Sequence, residues 1–165
     1  MNNNQLLQAM IAFDGGDAKR IQHFIKVYQF AKLIGEKERL DERTQHILET
    51  AAIVHDIGIR PAEQKYGSCN GRLQEQEGPA EAERMLSGLG YDNDVINRVS
   101  YLVGHHHTYT DVDGIDYRIL LEADFLVNLY EDDCGEDAVK NAYGNIFRTE
   151  SGKRICRTMF GIGEE

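Results

Sequence analysis

The chain has 165 residues, 41% of them hydrophobic, and this length fits one domain. Eighteen lysines and arginines against 28 aspartates and glutamates give a net charge of −10. Such a charge repels phosphate backbones and anionic lipid surfaces, so we expect neither a nucleic-acid polymer nor a membrane as a partner. Three dispersed cysteines, no apolar leader and no apolar run of about 20 residues indicate reduced thiols and a cytoplasmic location.

Helical periodicity runs along nearly the whole chain, and no segment has a convincing strand pattern. A short first helix over residues 4–12 ends at an Asp-Gly-Gly-Asp turn. Asp17 can cap a second helix, which Gly35 would stop, and Asp41 can cap a third helix through Ile57.

Residues 58–77 are expected to form the one long polar loop of the chain, because Gly58 and Pro61 are stop signals after the third helix and two more glycines follow in a polar segment. A helix from Pro79 to Leu89 follows, with the proline in its first turn. A further helix is expected from Asp92 or Asn93 to about Gly104, and another over 116–131. One or two more helices should follow before Phe160, with Ser151 or Thr149 as a possible cap.

These elements predict an all-α fold, a single bundle of about six to eight helices. We expect one domain over residues 1–165, with a core at about 17–131 and a C-terminal helical extension at 132–165.

A histidine and an aspartate stand side by side in the apolar helical segment AAIVHDI, and both His55 and Asp56 point toward its packed side. His23 and Asp124 lie on apolar faces of two other helices. A single buried histidine is more often a core residue bonded to backbone. Two imidazoles and two carboxylates on three apolar faces instead favour a shared divalent cation, which would compensate the buried carboxylates.

The order of these residues resembles the HD-domain superfamily of metal-dependent phosphohydrolases. The matching segments are RIQHFIKVYQFAKLIG, AAIVHDIG, EGPAEAERML and LLEADFLVNL, between about residues 19 and 130. The resemblance implies an all-α bundle that hydrolyses a phosphoester or phosphoanhydride. It also implies that His23, His55, Asp56 and Asp124 are the metal ligands.

A run of three histidines at 105–107 needs separate treatment. His106 continues an apolar row of its helix, so we expect it to face the site as a general acid or a phosphate donor. The alternative is a solvated histidine cluster at a helix end. Relatives with two metals carry a further histidine where this chain has Gln74, so we expect one metal per chain, although Glu75 or Glu77 could substitute.

Phosphoryl oxygens need positive charge near them during transfer. The candidate substrate-binding residues are Arg20, Arg60, Lys65, Arg72 and His105. Each of the arginines and the lysine could equally be a solvated surface charge.

We therefore expect hydrolysis of a small phosphorylated substrate, such as a nucleotide, by a metal-activated water whose proton Asp56 or Asp124 orients. The metal is one of Mn, Fe, Ni, Co, Zn or Mg. The alternative is a non-catalytic sensing or interaction module of the same fold with a structural metal. A structural site would be closed by protein ligands, whereas a catalytic site keeps an open position beside cationic residues.

Overall fold

The computed structural model describes residues 3–163, and within that range the chain forms nine α-helices and no strand. The helices are α1 Asn3–Phe13, α2 Ala18–Lys37, α3 Glu42–Val54, α4 Ile59–Tyr66, α5 Gly71–Gly88, α6 Asn93–Val103, α7 Ile115–Glu131, α8 Glu136–Asn145 and α9 Glu150–Phe160. The predicted all-α fold is confirmed. None of these helices is long and apolar enough to cross a bilayer.

The core forms where α2, α3 and α7 pack against one another. Helix α3 also contacts α6, and α5 packs on α4 and α6 at one side of this group. The fully buried side chains in the centre include Phe24 of α2, Leu48 of α3 and Leu120 of α7. The three helices predicted to carry the histidine and aspartate residues are therefore neighbours.

Side-chain caps fix the start of three helices as predicted. The capping residues are Asp17, Asp41 and Thr149, whose side-chain oxygens accept hydrogen bonds at 2.9–3.0 Å from the backbone N–H three residues later. Such caps stabilise a helix by about 1 kcal/mol each because they satisfy donors that have no partner within the helix.

Helix α2 does not stop at Gly35 but continues to Lys37. Gly35 is buried where α2 meets α3, and a Cβ atom there would meet the side chains of Gln45 and Leu48, the latter at 3.0 Å. This glycine therefore permits a close approach of two helices rather than ending one.

The segment 58–77 was expected to be a loop, and that prediction is wrong. It contains all of α4 and the first turns of α5, which accounts for a ninth helix. Pro61 occupies the first turn of α4, where its missing N–H has no intrahelical partner to lose. Asn70 caps α5 through the backbone N–H of Leu73 at 3.0 Å, so Pro79 lies inside α5 rather than at its start.

Candidate metal centre

Three elements bring the four predicted ligands together at the base of a cleft. His23 lies on α2 and Asp124 on α7. Helix α3 ends at Val54 rather than at Ile57 as expected, and tight turns follow in which the N–H of Ile57 donates to Val54 O at 2.9 Å. These turns carry His55 and Asp56 out of the helix and toward the other two residues.

The ligand atoms of these four side chains converge. Nε2 of His23 lies 3.2 Å from Nε2 of His55, 3.2 Å from Oδ2 of Asp56 and 3.2 Å from Oδ1 of Asp124. Nε2 of His55 lies 3.4 Å from each of the same two carboxylate oxygens. The two imidazole nitrogens therefore stand between two carboxylates.

His23, His55 and Asp56 lie close enough together to hold one divalent ion, and Oδ1 of Asp124 lies within 3.4 Å of both imidazole nitrogens. Ligand atoms bound to such an ion at about 2.0–2.2 Å lie about 3.0–3.5 Å from one another. Nitrogen and oxygen donors in this mixture suit Mn, Fe, Co, Ni and Zn, and carboxylates also suit Mg. A cation at this point would offset the cost of placing two carboxylates around one largely buried site.

The pKa values of these groups indicate that the cluster attracts positive charge. Burial disfavours the imidazolium form of His23, but hydrogen bonds with Asp124 and Asp56 outweigh burial and raise its pKa to about 9. Burial likewise opposes ionisation of Asp56, yet the charge of His55 and hydrogen bonds with the histidines hold the pKa of this carboxyl well below its usual range. Protons and a metal cation would therefore compete for the same place.

The second nitrogen of each of these two histidines is engaged, which turns Nε2 toward the cluster. Nδ1 of His55 donates to the carbonyl oxygen of Ala52 at 2.7 Å. Nδ1 of His23 lies 3.2 Å from Oε2 of Glu131, whose other oxygen lies 2.8 Å from Nζ of Lys26. Such partners fix the tautomer and the ring orientation of a metal-ligating histidine.

His106 faces the same centre, as the apolar row of its helix predicted. The residue is 1% exposed, and Nδ1 donates to Val103 O at 2.8 Å. Nε2 has no hydrogen-bond partner among the described residues and lies 3.4 Å from Oδ1 of Asp56. This carboxylate is the charged group that Nε2 of His106 faces, so the histidine adds to the cluster around Asp56.

His107 stands next to this group but is held by other contacts. Its Nε2 lies 2.8 Å from Oε1 of Gln74, and Nε2 of Gln74 in turn donates to Cys69 O at 2.6 Å. The amide orientation makes Gln74 an acceptor for the Nε2–H of His107. Asp56, His106 and His107 form a second set of three candidate ligands, in which the hydrogen bond to Gln74 occupies Nε2 of His107.

A cleft of about 430 Å³ opens above the centre. It is lined by Asp17, Lys19, Arg20, His23, Asp56, Ile59, Cys69, Asn128, Glu131 and Asp132. Arg20 is the one predicted substrate-binding residue that lines it, and Glu63 holds its guanidinium at 3.2 Å. The candidate metal centre is thus open on one side, beside a cation.

The other four predicted substrate-binding residues lie elsewhere. Arg60 lines an adjoining pocket, where its guanidinium donates to Phe13 O. Lys65 is 60% exposed and lies 2.6 Å from Glu77, because α4 and α5 pair where a loop over the site was expected. Arg72 is exposed, and His105 stacks on Tyr101 with ring centroids 4.1 Å apart.

Sequence reasoning missed two residues of the site. Glu131 lies in the acidic segment that ends α7, which is typical of a solvated surface, although it follows Asn128 by three residues and Asp124 by seven, a spacing that places all three on one face of the helix. Lys19 is one residue from Arg20 and looked like an ordinary surface lysine. Helical spacing from Asp124 could have pointed to Glu131, whereas no signal in the sequence distinguishes Lys19.

Fold and site together define a helical protein with a candidate divalent-metal centre of two histidines and two aspartates. The family model of the HD domain matches residues 20–139, which is most of the chain. The chain therefore belongs to the HD domain family, whose superfamily consists mostly of metal-dependent hydrolases. No curated protein and no solved structure gives a significant match.

Proposed function

We propose that this protein is a metal-dependent phosphohydrolase that acts on a small phosphorylated substrate. The observation that carries the proposal is the convergence of Nε2 of His23 and His55 with carboxylate oxygens of Asp56 and Asp124, at 3.2–3.4 Å, at the base of an open cleft. Membership of the HD domain family supports the same activity.

His23, His55, Asp56 and Asp124 would hold the metal. A bound divalent ion supplies Lewis acidity, which polarises a phosphoryl oxygen and makes water acidic enough to act as a nucleophile at neutral pH. Gln74 keeps His107 in a hydrogen bond at 2.8 Å, so we propose one metal per chain.

The remaining residues would act on the substrate and on the water proton. Asp56 has a second oxygen, Oδ1, that faces His106 and can accept a proton from a water molecule in the cleft. His106 can donate from Nε2 to a phosphoryl or leaving oxygen, since its Nδ1 is already bonded to backbone. Arg20, on the cleft wall, would bind the phosphate oxygens.

The charge of the chain supports a small substrate over a polymer. With a net charge of −10, a nucleic-acid strand would be repelled over most of the surface, whereas one phosphate can be bound locally by Arg20 and a metal ion. Three cysteines, none of them in a disulfide among the described residues, support a cytoplasmic setting.

The alternative is a non-catalytic module with a structural metal. A structural site is closed by its protein ligands, but here the cleft reaches His23 and Asp56 and leaves room beside them. This opening favours the hydrolase.

The proposal is tested by metal content and turnover of the purified, untagged protein. We expect about one equivalent of divalent metal by mass spectrometry and hydrolysis of p-nitrophenyl phosphate with added Mn²⁺. Asp56→Ala should lose the bound metal and the hydrolysis. Asp94→Ala, at an exposed carboxylate of α6, should keep the bound metal and the hydrolysis. Turnover that persists in Asp56→Ala would exclude the mechanism, and metal binding without turnover of any phosphoester would favour the structural alternative.

A further inference from the structure

A second pocket adjoins the cleft, between the turn that links α1 to α2 and the start of α4. Its volume is about 270 Å³, and its lining consists of Asp14, Gly15–Gly16, Asp17, Arg20, Arg60 and Glu63. Asp17 and Arg20 line the cleft as well, so the two spaces meet at these residues. A group attached to a phosphate in the cleft could extend past Arg20 into this pocket.

Asp14 is the unusual member of this lining. Its side chain is 2% exposed, and Oδ2 accepts no hydrogen bond from any described residue. The nearest cation is Arg20, whose Nη1 lies 4.0 Å from Oδ1, beyond hydrogen-bond distance. Burial raises the pKa of this carboxyl to about 6, despite the opposing charge of Arg20. Leaving a carboxylate unsatisfied in this way is costly, so it calls for a ligand that donates to it.

The backbone at Asp14 is fixed, which keeps its carboxylate at the wall of the pocket. Its N–H donates to Met10 O at 2.9 Å, and its carbonyl accepts from the N–H of Asp17 at 2.9 Å. Gly16 has a φ of 92°, in the region that favours glycine, so the turn adds no side chain that would fill the space.

The chemistry of the lining limits what the pocket can hold. It mixes three carboxylates with two guanidinium groups and includes no aromatic or aliphatic side chain. A nucleobase would find no apolar surface for stacking. Hydroxyl groups can donate hydrogen bonds to Asp14 and accept them from Arg60. Because they are uncharged, neither the carboxylates nor the guanidinium groups of the lining repel them. The volume is below the range of about 300–1,000 Å³ that holds drug-sized ligands, so one sugar ring or less would fit.

We infer that this pocket is a subsite for a polyol, and that the preferred substrate is the phosphate ester of a sugar or another polyhydroxylated group. The inference rests on the proposed function, since it places the esterified phosphate in the cleft beside Arg20. Asp14 accepts hydrogen bonds from the hydroxyl groups, and Arg60 donates to them.

Two five-carbon phosphomonoesters test this subsite by binding. Ribose 5-phosphate and n-pentyl phosphate carry the same phosphate but differ in their hydroxyl groups, and their dissociation constants can be measured by isothermal titration calorimetry. Free phosphate assayed in the cell afterwards reports any hydrolysis. We expect ribose 5-phosphate to bind at least about tenfold more tightly, because hydrogen bonds to a charged group are among the stronger ones.

Asp14→Ala should remove this preference without weakening n-pentyl phosphate. Asp14→Asn keeps one acceptor oxygen and should give an intermediate preference, and Asp94→Ala should bind like the wild type. Equal affinities in the wild type, no binding of either ester, or a preference that survives Asp14→Ala would overturn the subsite. A polyol preference without phosphate release with any metal would instead uphold the subsite and contradict the proposed hydrolase.

Discussion

Oε2 of Glu131 lies 3.2 Å from Nδ1 of His23, while Oε1 of the same carboxylate lies 2.8 Å from Nζ of Lys26. Glu131 therefore keeps the proton of His23 on Nδ1 and leaves Nε2 free to bind a metal. We expect Glu131→Ala to weaken metal affinity about 10- to 100-fold, and Glu131→Gln less, because its amide oxygen can still accept from Nδ1–H. Competition with a chromogenic chelator measures the affinity.

Glu136 provides the control for this prediction. It is an exposed glutamate of α8 that pairs with Lys140, away from the cleft lining, so Glu136→Ala should bind metal like the wild type. Equal affinity in Glu131→Ala and Glu136→Ala would show that the contact with His23 has no bearing on the metal.

Gly58 follows the His-Asp turn by two residues and lies against the backbone of α5. A Cβ atom at this position would stand 2.8 Å from the nitrogen and 2.9 Å from the Cα of Gly78, and backbone atoms cannot move aside cheaply. Gly58→Ala should therefore lower the free energy of unfolding by about 1–3 kcal/mol, as overpacking generally does. Because the same turn carries Asp56, the variant should also bind metal less tightly. Urea denaturation and metal titration measure the two effects.

Gly88, the last residue of α5, is the matched control. Gly88 has no atom within 4 Å of an added Cβ, and its φ lies outside the left-handed region. Gly88→Ala should be neutral or stabilising by up to about 1 kcal/mol, since alanine favours helix more than glycine does. If both variants lose the same stability, the close approach at Gly58 is not the cause.

Much of the fold could be predicted because its signals are local. Asp17, Asp41 and Thr149 act as caps through bonds to residues three positions away, so the sequence alone reveals them. Helix α4 could not be predicted because its boundaries depend on packing. Its sequence is short and mostly polar, and Pro61 is compatible with a helix only because it falls in the first turn.

The four candidate ligands could be predicted because charged groups on apolar faces are rare. The roles of Asp14 and Glu131 could not be predicted, because Asp14 lies in a turn sequence and Glu131 at the end of a helix. Asp14 precedes two glycines and looks like a turn residue, and only the folded chain shows that it is buried. Lys65 was expected to reach the site from a loop, and that prediction is wrong. The residue lies in a helix, where it pairs with Glu77.

We expect Gln74 to limit the number of bound metal ions to one. Its Oε1 accepts from His107 Nε2 at 2.8 Å, so that nitrogen carries a proton and has no lone pair for a metal. We expect one equivalent of bound metal in the wild type, measured by mass spectrometry after gel filtration. In Gln74→His, the new imidazole would join His106, His107 and Asp56, and we expect the content to approach two equivalents.

Gln76 controls for the substitution itself. It is an exposed residue of α5 that faces Tyr66, so Gln76→His should remain at one equivalent. Two equivalents in the wild type would mean that His107 binds metal, either through Nδ1 or after its hydrogen bond with Gln74 breaks.

The buried carboxyl of Asp14 should make stability depend on pH. Its pKa is about 6 in the folded protein and 3.8 for an ordinary aspartate, so the folded state binds the proton more tightly. Stability is therefore lost as the pH rises from about 4 to about 6, and the loss stays constant at higher pH. Asp14→Asn carries no such charge and should unfold with a free energy about 1–3 kcal/mol higher than the wild type at pH 7.

The difference in unfolding free energy between Asp14→Asn and the wild type should shrink toward zero near and below pH 4. There the Asp14 carboxyl becomes protonated in the unfolded chain as well as in the folded protein. Urea denaturation of both proteins across pH 4–7.5 measures it, and Asp94→Asn, at an exposed carboxylate, should show no such trend. A difference that stays constant with pH would mean that the charge of Asp14 is not what destabilises the fold. A wild type that gains stability relative to Asp14→Asn as the pH rises would mean that the carboxylate is already satisfied without a ligand, which would also remove the main argument for a polyol subsite.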